Sequence, residues 1–446
     1  MHLIYPDTAQ FRAFRQISGV LKRAGFAVYA VGGAVRDLCL GKTPQDVDIA
    51  TSAQPEELEK LFCDLKWVGR SFGVSLVKAG DFEFEVATFR EERSYADGRH
   101  PEKLSFSRSP ETDVRRRDFT VNALLADPWS GEVLDFTGGL NDLQMGIIRT
   151  VGDPETRFNE DHLRMLRALR FANRLGFELE ESTFAALKRL AHLSSGIAGE
   201  RVRQELENGF SCRPDRFLRL LDASGILEYI LPEISHLKQV EQHQLYHPEG
   251  NVFNHTCKML EHACGADTVL LWSILLHDIG KAETSFVDEN GYVRAFGHEC
   301  RGAEMAQQIL ERLRFSKLQS SRIVKLVAEH MSLAMAPKMR QGKLRRLMQE
   351  EDFHLALELH RLDCISSHGM LDCWCFILDE YAKIPSPAEK VPALIDGKKL
   401  ISLGGTPGPH FKAVLSELYE LQLAGEFTQM ADAEKKAREL LEKSKV

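Results

Sequence analysis

The chain is short of the features that would mark a secreted or membrane protein. Its 446 residues contain no apolar run long enough to span a bilayer. The opening MHLIYPDTAQFRAF lacks a basic start followed by an apolar stretch, so no signal peptide is expected. Nine cysteines occur without a CxxC pair, and Cys373 and Cys375 flank Trp374 too closely to bond each other readily. Reduced thiols in a cytoplasm are therefore the expectation. A basic excess is missing too: 57 Lys and Arg against 65 Asp and Glu leave a net charge of −8, which does not advertise nucleic-acid binding. Internal repeats and low-complexity tracts are absent. With 43% hydrophobic and 27% charged residues, the composition is that of a soluble globular protein. Its length predicts about three domains rather than one core.

Local basic surfaces survive the acidic total. One spans Arg90 to the triplet Arg115-Arg116-Arg117. A second runs Arg157, Arg164, Arg167, Arg170, Arg174, and a third covers Lys338 to Arg346. Each also fits a plain solvated face.

The chain changes character along its length. Up to about Thr150, β-rich runs (FAVYAV, VDIA, VSLVKA, FEFEVATF, VLDF) alternate with helical ones such as that opened by Pro55-Glu56-Glu57. A mixed α/β sheet domain is expected there. From Pro154 the apolar spacing becomes helical, and Pro154 and Gly176 are expected to bracket one helix carrying Leu163, Leu166, Leu169 and Phe171. Leu231-Pro232-Glu233 suggests a boundary. The histidine-rich segment from Gln239 to about Tyr381 reads as helical, and the linker Ile384-Pro385-Ser386-Pro387 precedes two amphipathic helices. The expected division is 1–150, 151–235, 236–383 and 384–446.

The most telling local pattern is VGGAVRD followed by DVDIA. Glycine lets backbone amides approach a phosphate closely, so a strand running into Gly32-Gly33 can present them to one. Asp46 and Asp48 stand two apart, which on a strand turns both carboxylates to one face. Glu85, sharing a face with Glu83 in FEFEVATFR, can supply a third. Two or three convergent carboxylates beside a phosphate cradle suit Mg²⁺ and a nucleoside triphosphate, hence nucleotidyl transfer. Arg36 lies three residues after Gly33 and can reach the same triphosphate. Arg116-Arg117-Asp118 with Asn122 suits a phosphate and ribose clamp, although composition alone allows a surface basic run. Asp161 and Arg164, three apart, could offer an acceptor and donors to a base edge. By spacing alone an ordinary intrahelical ion pair is the better reading of them.

A second constellation is His277-Asp278-Ile279-Gly280-Lys281 after the apolar run LLWSILL, with His255 upstream and His298, His330 and Asp363 downstream. Imidazole and carboxylate together bind divalent metals and activate water, whereas a single helical histidine is more often a satisfied structural residue.

The N-terminal motifs GGAVRD, DVDIA, EVATFR, RRDFTVNA, LDFTGGLNDL, RFNEDHLRMLRALRF and ERVRQEL occur in this order over residues 20 to about 230. The series resembles class II nucleotidyltransferases of the polymerase β superfamily, the bacterial CCA-adding enzymes and poly(A) polymerases. The His, His-Asp, Asp order resembles the HD phosphohydrolases. The resemblance implies an α+β fold: a small mixed-sheet head, then a helical neck, an HD domain and a C-terminal arm. It implies Asp46, Asp48 and Glu85 as catalytic Mg²⁺ ligands and Gly33 and Arg36 as triphosphate contacts. Arg116, Arg117, Asp118 and Asn122 would serve ribose and phosphate, and Asp161, Arg164, Arg167 and Arg170 would select CTP or ATP. His255, His277, Asp278 and Asp363 would ligate a second metal, Ni²⁺, Co²⁺ or Mn²⁺, with His298 and His330 adding another ion or binding phosphate. Partners implied are tRNA or other RNA 3′ ends, CTP and ATP, with no membrane. Tyr95 to Pro101 resembles a mobile loop associated with admitting ATP, and LGGTPGP a turn that could touch RNA backbone. Other products stay open: poly(A) tails, A addition alone, or an HD phosphohydrolase with an RNA-binding N-terminal domain.

Overall fold

The computed structural model describes residues 1–95, 98, 101–242, 247–384 and 391–443. Two compact units divide the chain, Met1–Pro232 and Glu233–Val446.

The first unit is built on a mixed sheet. Its strands are β1 (Val28–Val31), β2 (Asp48–Thr51), β3 (Lys66–Gly69), β4 (Val74–Ala79), β5 (Phe82–Thr88), β8 (Leu125–Ala126) and β9 (Val133–Leu134), in the order β3-β4-β5-β2-β1-β8-β9. β6 (Arg90–Tyr95) and β7 (Pro101–Phe106) form a separate antiparallel hairpin. Every neighbour in the large sheet is antiparallel except β2 and β5. That parallel pair sets Ile49 against Val86, so Asp48 and Glu85, one residue back on each strand, share the opposite face. β1 pairs with β2 through Val31 and Asp48, which brings the glycine turn beside the aspartate.

Helix Ala9–Arg23 places Phe11, Phe14, Ile17 and Leu21 on one buried stripe. Each such side chain contributes roughly 1.5–3 kcal/mol by leaving water. The helix Pro55–Leu61 starts, as expected, with Pro at its first position and a reciprocal cap between Gln54 and Glu57.

Two expectations need correction here. Asp46 precedes β2, which begins at Asp48, so strand alternation does not by itself align the two carboxylates. The single helix expected between Pro154 and Gly176 is two, Pro154–Glu160 and Leu163–Leu175. Asp161 sits between them in extended backbone (φ −143°, ψ 106°), and Gly176 in left-handed backbone ends the second helix. The short pair β10 (Ile147–Ile148) and β11 (Glu178–Leu179) runs parallel.

The second unit is mainly helical. Helix Thr268–Leu276 is apolar all round and buried from Val269 onward, as a central helix must be. Trp272 meets the Phe315 ring edge-on at 5.0 Å. This central helix packs on helices Val252–Glu261, Lys317–Glu329 and Phe353–Ser366, and His298–Arg312 packs on Lys317–Glu329. The histidine-rich segment is not purely helical as expected. A hairpin of β12 (Phe286–Val287) and β13 (Val293–Arg294) interrupts it, turning at Gly291 with φ +80°. The C-terminal section folds Pro409–Ala424 and Met430–Lys443 around Leu400, Leu418 and Ala437. Most of the proline linker falls outside the described residues, as do Ala96, Asp97, Arg99 and His100 of the loop resembling an ATP-admitting element. No described helix is long and apolar enough to cross a membrane.

Candidate active sites

In the first unit the site grows from Gly32. Its φ of 72° is a backbone conformation that glycine adopts without strain, and it caps helix Gly33–Cys39. A Cβ at Gly32 would stand 3.8 Å from Arg117 Nη1 and 4.0 Å from Asp48 Oδ2, so cation, carboxylate and turn meet at one point. Burial, the neighbouring Glu85 charge and Asp46 push the Asp48 carboxyl up to about 6, with Arg117 opposing them. By surface area Asp48 is nonetheless exposed, so a ligand can reach it. A carboxylate repelled by two others is a donor suited to a divalent cation, which would relieve that repulsion.

The other expected residues form a braced network. Arg36 is 3% exposed; its Nη1 donates to Asn122 Oδ1 at 2.7 Å and its Nε to Asp37 at 2.8 Å. It thus spans from the turn, where its Nη2 lies 3.5 Å from a Cβ placed on Gly33, to Asn122. Arg117 Nη2 donates to Asp113 at 2.9 Å, while its buried Nε has no hydrogen-bond partner. Arg116 reaches the other Asp113 oxygen at 2.6 Å. Asp118 receives Arg167 at 2.6 Å, the Phe119 amide at 2.8 Å and Asn122 at 3.4 Å. Burial alone would raise Asp118, but Arg167 outweighs it and holds the carboxyl below the usual range.

Asp161 and Arg164 do not pair with each other. The helix break frees the Asp161 carboxylate to take the Leu163 amide at 3.1 Å and Arg201 at 3.0 Å. Arg164 donates to Glu160 and to the carbonyls of Arg157 and Arg116 at 3.1 and 3.2 Å. Arg170 pairs with buried Glu205 at 2.6 Å and lies over the Phe171 ring at 4.2 Å. Sequence reasoning missed the orienting residues Asp113, Glu160, Arg201 and Glu205. Only the odd acid before an arginine triplet, in ETDVRRRD, could have pointed to Asp113.

In the second unit His277 ends the buried helix Thr268–Leu276, as expected, and Asp278 follows, 3% exposed. His277, His298 and His330 each place Nδ1 within 2.8 Å of a backbone carbonyl, of Ile274, Ala295 and Val327 respectively. A carbonyl only accepts, so each Nδ1 carries a proton and each Nε2 is the nitrogen left to take a metal. His255 Nδ1 lies 2.7 Å from Glu249. Those Nε2 atoms converge. His277 lies 3.2 Å from Asp278 Oδ2, His298 3.4 Å from Oδ1, and His255 3.1 Å from Asp363 Oδ1. His298 and His330 face each other at 3.2 Å, and buried His255 Nε2 and His277 Nε2 have no aligned hydrogen bond.

Two donor groups share Asp278: with His255 and His277, and with His298 and His330. Opposed lone pairs and orphaned ring nitrogens fit a divalent metal better than they fit each other. Burial would lower His255, yet Asp363 and Glu249 overcome it and raise the ring to about 9. His330 goes the other way, to about 4, through burial and the charge of His277. Burial opposes ionisation of Asp278, but His277 and Lys281 hold it well below the carboxylate range. Lys281 Nζ sits 2.6 Å from Asp278 and donates to Gln242 at 2.9 Å. Glu249, Gln242 and the brace by Lys281 were not expected from the sequence.

Comparison with known proteins gives three domain matches. Residues 28–149 match the Poly A polymerase head domain, 176–237 match "Probable RNA and SrmB- binding site of polymerase A", and 251–367 match the HD domain. A CCA-adding enzyme of Leuconostoc mesenteroides is 52% identical over 187 residues, 42% of this chain and 46% of the relative. That of Anoxybacillus flavithermus is 43% identical over 232 residues, 52% and 58% of the two chains. The matched part thus spans about half the length of these curated relatives. Among solved structures, the Bacillus stearothermophilus CCA-adding enzyme in complex with CTP aligns over 98% of both chains, with 27% identity and a TM-score of 0.69. The Thermotoga maritima CCA-adding enzyme complexed with tRNA_CCA aligns over 96% of this chain and 94% of its own, at 21% identity and a TM-score of 0.59. The α+β fold expected from the motifs holds, and head and HD domains both imply use of divalent metal.

Proposed function

The chain carries a poly A polymerase head domain, a polymerase A RNA-binding segment and an HD domain; from these we propose that it adds C, C and A to tRNA 3′ ends from CTP and ATP. The observation that carries this is Asp48 set beside Glu85 on adjacent parallel strands, next to the Gly32 turn and Arg117.

Asp46, Asp48 and Glu85 would hold Mg²⁺, which supplies charge neutralisation and polarises the α-phosphate when bound. The Gly32-Gly33 turn with Arg36 and Arg117 presents donors to the triphosphate, with Arg117 Nη1 beside Gly32. Arg116, Asp118 and Asn122 position ribose and phosphates. Asp161, held by Arg201, and Arg164, held by Glu160, offer an acceptor and donors to the edge of the incoming base, with Arg167 and Arg170 bracing that wall. The protein then stands in for a template strand. We place the head at 1–150, the neck at 151–235, the HD domain at 236–383 and the arm at 384–446. The nine unbonded thiols support a cytoplasmic setting.

His255, His277, Asp278 and Asp363 would hold Ni²⁺, Co²⁺ or Mn²⁺, which activates water for phosphoester hydrolysis. His298 and His330 complete a second group through Asp278. The substrate would be a phosphorylated or 2′,3′-cyclic RNA end.

The test is incubation with Mg²⁺ and tRNA lacking its CCA, offering CTP, ATP, then both. Two C residues followed by one A are expected. Long A tails would assign a poly(A) polymerase, A addition only to tRNA already ending in CC would assign an A-adding enzyme, and no incorporation would leave the HD centre as the working site.

A further inference from the structure

Beside the histidine cluster lie two cavities. One, of 220 Å³, is lined by Asp278, His298, His330 and Asp363. The other, of 320 Å³, is lined by Gln242, Ser285, Arg294 and Phe296. Both are bordered by His247, Lys281, His298 and Met331, so they form one trough running from the candidate metal ligands to the β12–β13 hairpin. That hairpin and its exit expose an unusual amount of apolar surface. Phe296 is 75% exposed, Val287 66%, and Phe286 48%, with the Phe286 and Phe296 ring centroids 5.8 Å apart. Large exposed apolar groups rimmed by polar ones mark a binding surface.

We propose that this hairpin is a nucleobase platform, on which Phe286 and Phe296 stack the base of a nucleotide whose phosphate enters the histidine cluster. The inference rests on the phosphohydrolase reading of the HD domain. Three observations favour a nucleotide over other occupants. Phe296, with Phe286 against its ring, lines the same trough as the ligand cluster. The passage between them carries Lys281, paired with Asp278 at 2.6 Å, and Arg294, paired with Asp288 at 2.9 Å, so two cationic donors stand where a phosphate must pass. And exposed aromatic rings accept any base by its π-face, as suits an RNA end of variable sequence.

The experiment compares hydrolysis of 2′,3′-cyclic AMP with that of glycerol 1,2-cyclic phosphate, which carries the same strained diester without a base, using the full chain loaded with Ni²⁺. In the doubly substituted Phe286→Ala, Phe296→Ala protein, the KM ratio of the nucleotide to the base-free ester is expected to rise about tenfold or more. Phe296→Trp should restore it. An unchanged ratio overturns the platform. A second readout does not need turnover: photolysis with 8-azidoadenosine 2′,3′-cyclic phosphate, followed by peptide mapping, should label residues 286–296. Labelling only elsewhere overturns the proposal. If the unaltered protein hydrolyses neither ester, the phosphohydrolase reading falls and the labelled peptide decides the platform by itself. Cosedimentation with phosphatidylcholine vesicles, lost on the same substitutions, would assign the patch to lipid and likewise overturn it.

Discussion

The two candidate centres solve the problem of holding charge in opposite ways. In the first unit, exposed Asp48 feels the like charges of Glu85 and Asp46, and its carboxyl is pushed up to about 6. In the second, buried imidazoles and carboxylates alternate, and Asp278 is held well below its usual range by His277 and Lys281. Among the described residues, the sets of three or more His, Cys, Asp or Glu ligand atoms lying within 4.8 Å of one another all belong to the second unit. One site is left to be completed by what binds, whereas the other is assembled in advance by hydrogen bonds to its outer ring nitrogens. That difference suits the roles proposed for them, an exposed site that admits a metal-bearing triphosphate with each turnover and a preassembled site that keeps its ion while a substrate enters beside it.

The sharpest way to break the comparison is to remove one carboxylate from each centre. Asp48→Asn should lower CTP incorporation by about 10³-fold or more and leave cyclic phosphodiester hydrolysis intact; Asp278→Asn should do the reverse. Loss of both activities in either variant would mean the centres are not separable, and rate measurements on the same preparation decide it.

Asp113 comes next. Its carboxylate, 1% exposed, receives Arg116, Arg117 and the Arg90 amide. Asp113→Asn leaves crowded guanidinium groups without their counter-charge, which should cost about 3 kcal/mol or more in urea unfolding of the first unit. Incorporation should fall as well, through a higher KM for CTP. A variant as stable and as active as the parent would show that Asp113 orients nothing.

The smallest effect is on pH. With the Asp48 carboxyl near 6, protons and Mg²⁺ compete for it. The Mg²⁺ concentration for half-maximal incorporation should therefore rise about tenfold per unit as pH falls below 6 and level off above 7. The sign for the metal-free fold is opposite. A carboxyl with a raised native pKa binds its proton more tightly when folded, so stability declines as pH rises from 4 through 6, and added Mg²⁺ should recover it. A flat Mg²⁺ requirement between pH 5 and 8 would remove Asp48 from the cation site.

What the chain itself determined is its local chemistry. Alternation and β-branching predict the strands around β1, β2, β4 and β5, the apolar run LLWSILL predicts a buried helix ending at His277, and motif order points to the domain sequence. These are short-range effects of side-chain period and glycine, carried within a few residues. Tertiary structure alone decided the partners. Periodicity runs straight through EDHLRMLRALRF, yet the backbone breaks at Asp161, and Arg201, 40 positions away, donates to the carboxylate that spacing would have given to Arg164. Likewise nothing near His298 or His330 in sequence announces that Asp278 joins their rings to those of His255 and His277. A carboxylate pairs with whichever cation packing brings within reach, and packing is set by the whole core rather than by neighbouring residues.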